Sequence, residues 1–146
     1  MMTPYDECKS IQYILNREID LLPFGTVRPR IYEYPREAED IDNCVTSRFG
    51  VTEDGTPVVE FYTSIIEQVL QDQESFIRKK YSGKMKYIQT IVRHEYRHLE
   101  QYLFCKEHNI DLKEFSENPT SVLLLEKDAY DFEQGRINDL HELFER

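Results

Sequence analysis

At 146 residues, with 40% hydrophobic and 12% aromatic residues and only 5 glycines and 6 prolines, the chain suits one packed domain and not a linker or a disordered segment. Its formal net charge of -10 sets an average field that repels phosphate backbones and anionic lipid surfaces, so nucleic acid and membrane are not expected partners. The three cysteines, Cys8, Cys44 and Cys105, lack any Cys-x-x-Cys spacing, which argues against a disulfide framework or zinc knuckle and for a reducing, cytoplasmic setting.

In chain order, Ile11, Ile14, Leu15 and Ile19 recur at helical spacing and predict an amphipathic helix over 5–20, preceded by neither a signal peptide nor any stretch of membrane-spanning length. From there to residue 63 the stretches "PRIYEY", "NCVTSRFGV" and "PVVEFYTS" are rich in β-branched and aromatic residues. With "TEDGTP" as a hairpin-type turn they predict a small antiparallel or mixed sheet. The acidic "PREAED" between the first two strands reads as a solvated loop. Helical period returns at Ile65, Ile66, Val69 and Leu70, continues through Phe76 and Ile77, and breaks near "YSGK" at 81–84. The basic run Arg78, Lys79, Lys80, Lys84 and Lys86 reads as a solvated helix end. A long helix is expected from about 84 to 107. Another begins at Asn118 as cap with Pro119 at its first position and ends at Gly135, and "INDLHELFER" reads as a short terminal helix.

The long helix carries "HEYRH". Positions four apart on a helix stand on one face, so His94 and His98 can address one ion, while Ile88, Val92, Leu99 and Leu103 line an adjoining apolar face. Glu95, about 100° round from His94, is placed to act as general base toward a water activated by zinc. A catalytic zinc site needs a third protein ligand. The metzincin pattern would put a glycine at 101 and a histidine at 104, and the chain has Gln101 and Phe104. A carboxylate from "LLLEKDAYDFE" at 123–133 is the remaining common solution, with Glu126 beside a packing surface that leaves it wanting a partner. An N-terminal glutamate that merely suits the helix dipole is the alternative.

Together, "HEYRH" and "EKDAYDF" resemble the gluzincin-type zincin peptidases, in particular the minigluzincins and short peptidases whose third-ligand helix reads E-x-(E/D)-A-x-x-F. The resemblance implies an α+β zincin-like domain spanning 1–146, with the small sheet packed on an active-site helix and a glutamate-ligand helix. It implies His94, His98 and Glu126 as zinc ligands and Glu95 as the base. Many relatives carry Asp or Asn four residues after the ligand glutamate, where this chain has Tyr130. Support for the ligands is then expected from Glu133 or the Tyr130 hydroxyl. Asp128, the alternative ligand, points about 200° round the helix from Glu126.

The function implied is a zinc-dependent metallopeptidase, with a catalytically silent or latent zincin-like interaction module as the alternative. In the zincin layout an extended peptide substrate adds to the strand edging the cleft, and "TPVVEFYTS" is the expected edge strand. Tyr102, Tyr130, Arg136, His108 and His141 are candidates to stabilise the transition state, and His141 could instead fold back as a fourth, inhibitory ligand.

Overall fold

The computed structural model describes residues 9–35 and 45–145. They form an α+β architecture of seven helices and one three-stranded mixed sheet. They belong to two compact units, 1–92 and 93–146, whose boundary falls inside one long helix. No helix among the described residues is long and apolar enough to cross a membrane. The acidic stretch from Arg36 to Asp40, and the cysteines Cys8 and Cys44, lie outside the described residues.

In the first unit, α1 spans Ile11–Asp20, where the Ser10 hydroxyl oxygen accepts from the Tyr13 amide at 3.1 Å and so satisfies an orphan donor of the first turn. Three short strands follow, β1 (Arg30–Tyr32), β2 (Ser47–Val51) and β3 (Pro57–Tyr62). The β2–β3 hairpin forms at the expected turn. There Asp54 Oδ1 accepts from the Thr56 amide at 3.2 Å and hydroxyl at 2.8 Å, and Gly55 takes a φ of 85°.

The sheet order is β1-β3-β2, with β1 parallel and β2 antiparallel to β3. This corrects the expectation that "TPVVEFYTS" supplies an edge: β3 is the central strand, hydrogen-bonded on both sides. Its run Val59, Glu60, Phe61, Tyr62 is buried throughout, a pattern that belongs to a strand covered on both faces. The buried Glu60 carboxylate accepts from the Tyr62 hydroxyl at 2.8 Å.

Helices α2 (Thr63–Asp72) and α3 (Glu74–Tyr81) replace the one continuous helix expected here. Gln73 leaves helical geometry at φ -125° and ψ 35°, yet its N–H donates to Val69 and its carbonyl accepts from Ile77, so one residue closes α2 and opens α3. Ile14, Leu15, Ile65, Ile66, Ile77 and Ile88 are buried in this unit. In the last turn of α3, Arg78 pairs with Glu74 at 2.7 Å and Lys80 lies over the Phe76 and Tyr81 rings, as a solvated helix end permits.

The second unit takes the part of α4 (Lys84–Glu107) from Arg93 onward, with α5 (Leu112–Phe115), α6 (Pro119–Glu133) and α7 (Leu140–Phe144). Asn118 caps α6 through Oδ1, which accepts from the Thr120 amide at 2.9 Å, and Gly135 follows its end at φ 94°. Helix α5 was not foreseen. It is one turn held by Asp111, whose Oδ1 accepts from the Lys113 and Glu114 amides. Helix α7 meets α4 through rings, Phe104 stacking on Phe144 at 5.5 Å between centroids.

Ser82, between α3 and α4, sits in the left-handed region at φ 64°, where a Cβ costs about 1–2 kcal/mol. Glycine avoids that cost and gives back about 0.5–1 kcal/mol in unfolded-chain entropy. Ser82→Gly is therefore expected to stabilise the protein by about 0.5–1 kcal/mol, read as a raised urea midpoint at unchanged slope. A lower midpoint would contradict this account of the turn.

Candidate metal centre

The second half of α4 and the inner face of α6 run antiparallel, as the pairings His94 with Glu133, Arg97 with Asp128 and Gln101 with Leu125 show. At their seam His94 and His98 stand one helical turn apart, ring centroids 4.8 Å from each other. Their Nε2 atoms approach to 3.2 Å. Glu126 reaches across from α6, with Oε2 3.1 Å from His94 Nε2 and Oε1 3.1 Å from His98 Nε2. Four ligands about 2.0–2.1 Å from a tetrahedral ion are separated by about 3.3 Å, so these spacings are close to the edges of such a polyhedron. Glu95 is buried on the same helix, and the ligand-capable atoms of His94, Glu95 and His98 all lie within 4.8 Å of one another.

The far side of each imidazole is also occupied. His94 Nδ1–H donates to Glu133 Oε2 at 3.1 Å, and His98 Nδ1–H donates to Gln101 Oε1 at 2.9 Å. The Gln101 amide has one consistent orientation, because its nitrogen donates to the Leu125 carbonyl at 3.0 Å and to Asp128 Oδ2 at 2.8 Å, both pure acceptors. Protons held on both Nδ1 atoms leave both Nε2 lone pairs directed at the space that Glu126 closes. Two lone pairs and a carboxylate that converge require a cation, either a proton or a metal ion.

Asp128 accepts from Arg97 Nε at 2.7 Å and Nη2 at 3.1 Å, and from Gln101 and Asn138. Arg97 also donates to the Asn138 carbonyl at 2.7 Å and to Glu100 at 3.1 Å. Arg97, Gln101 and Asp128 are each no more than 3% exposed, so the support for the histidines is desolvated. Phe132 lies under both the Arg93 and Arg97 guanidinium groups, 5.2 and 5.5 Å from its ring centre.

The electrostatics of the metal-free cluster follow from these contacts. Burial opposes a charged His94, but its hydrogen bonds to Glu126 and Glu133 and the charge of Glu95 outweigh it, and its pKa is pushed up to about 10. His98 is likewise raised against its burial, chiefly by Glu126, Glu95 and Gln101. The Glu126 carboxyl is held well below the usual carboxylate range by its hydrogen bonds to the two histidines.

The sequence candidates separate in space. His94, Glu95, His98 and Glu126 come together, and Glu133 supports His94. Asp128, the alternative ligand, is engaged by Arg97 instead. Tyr130 stands one turn after Glu126 on α6 and is 44% exposed, while Tyr102 stands one turn after His98 and is half-buried. His141 does not fold back onto the histidine pair; its ring packs on Phe104 at 4.8 Å and His108 at 5.1 Å, so the alternative of a fourth, inhibitory ligand is not realised. Arg136 lies 4.0 Å from Asp131 with its side chain largely exposed. Sequence reasoning missed Gln101 and Arg97 as parts of the site. The signal available was spacing: residues three apart on a helix are neighbours, and Gln101 is three from His98.

No protein-family model, curated protein or solved structure matches this chain.

With metal removed by chelation, His94 has a folded pKa above its unfolded value of about 6.5, so its contribution is full below that pH and lost as pH rises toward 10. Unfolding free energy of the chelated protein should fall between pH 7 and 9, and His94→Gln should reduce that slope. An unchanged slope in the variant would show that the cluster does not hold its proton in this way.

Proposed function

We propose that this chain is a zinc-dependent peptidase of the zincin type, with His94, His98 and Glu126 holding the ion and Glu95 as general base. The observation that carries the reading is the convergence of two Nε2 lone pairs and one carboxylate at 3.1–3.2 Å, with both Nδ1 protons anchored behind them. Nitrogen and carboxylate oxygen at near-tetrahedral spacing fit zinc better than calcium or magnesium, which take oxygen-rich shells. When bound, zinc supplies Lewis acidity, lowering the pKa of water toward neutrality and polarising an amide carbonyl.

The chain's own residues supply the rest. Glu95, buried one position on from His94, takes a proton from the attacking water as its oxygen bonds to the carbonyl carbon. The same carboxyl delivers that proton to the amine nitrogen as the C–N bond breaks. Tyr130 on α6 and Tyr102 on α4, each one turn beyond a ligand in sequence, are the candidates for a donor to the developing oxyanion. The substrate is a peptide in extended conformation.

Purified protein should hold one zinc per chain by elemental analysis, falling toward none in His94→Ala and in Glu126→Ala. Stoichiometric zinc in both variants would sink the ligand assignment. Glu95→Gln should retain zinc and lose at least about 100-fold in cleavage of an unstructured peptide library followed by mass spectrometry. Equal turnover in that variant would remove Glu95 from the chemistry. Zinc bound with no cleavage by the wild type would favour the silent binding module.

A further inference from the structure

Histidine has two ring nitrogens, and it can give a lone pair from Nε2 to a metal only while its ring proton stays on Nδ1. For His94 a carboxylate, Glu133, holds that proton. For His98 the partner is a neutral amide, which has an acceptor end and a donor end and could face either way. If Gln101 presented its nitrogen to His98, it would favour a lone pair on Nδ1 and the proton on Nε2, the tautomer that cannot ligate. Two acceptors fix the choice. The Leu125 carbonyl and Asp128 Oδ2 both take hydrogen bonds from Gln101 Nε2, at 3.0 and 2.8 Å, which leaves only Oε1 for His98.

Asp128 is itself fixed. Each of its oxygens accepts twice, from Arg97 Nε and Gln101 on one side and from Arg97 Nη2 and Asn138 on the other. Gln101 and Asp128 are 1% and 2% exposed, so water does not compete for these contacts. We propose that Gln101 is the positioning residue that makes His98 a metal ligand, held in its working orientation by the buried Arg97–Asp128 ion pair. This rests on the zinc reading above and adds to it a route by which the α6 helix sets the tautomer of a histidine on α4. Gln101 touches neither substrate nor the reacting atoms.

Two substitutions separate positioning from packing. Gln101→Met keeps the volume and offers His98 no acceptor of comparable strength. Gln101→Glu keeps an oxygen for His98 but sets a carboxylate against Asp128 and the Leu125 carbonyl. Zinc affinity is measured by competition with a chromophoric chelator, and the stability of the chelated protein by urea. The Met variant should bind zinc about 10–100-fold more weakly than wild type, the range in which loss of an outer hydrogen bond to a ligand falls. The Glu variant should bind zinc more tightly than the Met variant while being the less stable of the two without metal. A purely structural role predicts that the two rankings run together, and that result would overturn the proposal.

Nitrogen-15 correlation spectra of the zinc-loaded wild type give a readout that survives misfolding of either variant: His98 should carry its proton on Nδ1, and a proton on Nε2 would overturn the proposal. A wild-type chain that binds no zinc overturns both this inference and the zinc site. Stoichiometric zinc in the wild type with unchanged affinity in Gln101→Met overturns the positioning role alone.

Discussion

The second unit is organised around a buried ion pair. Arg97 and Asp128 lie on different helices, 31 residues apart, and meet through two parallel hydrogen bonds with side chains 3% and 2% exposed. Removing water from both charges is costly, and such a pair persists only when every remaining donor and acceptor is satisfied. Here Asn138, Glu100 and Gln101 complete the set. Loss of either partner would strand the other charge, at about 3–5 kcal/mol. A slip of one residue along α6 would do the same, so the pair fixes the register between α4 and α6.

That register places the carboxylates. Glu126 and Glu133 are seven residues apart, two turns on the same face of α6, and with Asp128 on Arg97 they arrive at opposite nitrogens of His94. The backing of the two histidines is unequal: a carboxylate stands behind His94 and an amide behind His98. Glu95, Glu126 and Glu133 give the seam an acidic surround.

Much of the helical layout was legible because its determinants are local. The Asn118–Pro119 pair and Gly135 mark ends that the backbone respects, and the long helix occupies Lys84–Glu107 as its periodicity predicts, whereas α1 starts at Ile11 behind the Ser10 cap and not at residue 5. The break at Gln73 and the single turn of α5 were not legible. Both lie in polar stretches with no apolar rhythm to interrupt, so neither leaves a pattern at the helical period. The sheet was read for its strands and misread for its order, since pairing is a long-range choice; β3 takes the centre because its inner residues are nearly all apolar or aromatic and have nothing to gain from an edge.

The sequence by itself determined that His94, Glu95 and His98 share one helix, because a spacing of four and a rise of 1.5 Å per residue bring side chains together without help from the rest of the chain. It could also nominate Glu126, on a second helix with its own caps. Only the tertiary structure decided that Glu126 reaches both histidines, that Glu133 and Gln101 hold their far nitrogens, and that Asp128 serves Arg97. Most of these contacts join residues 24 to 39 apart in the chain, and their formation depends on how two helices dock, which no local spacing encodes.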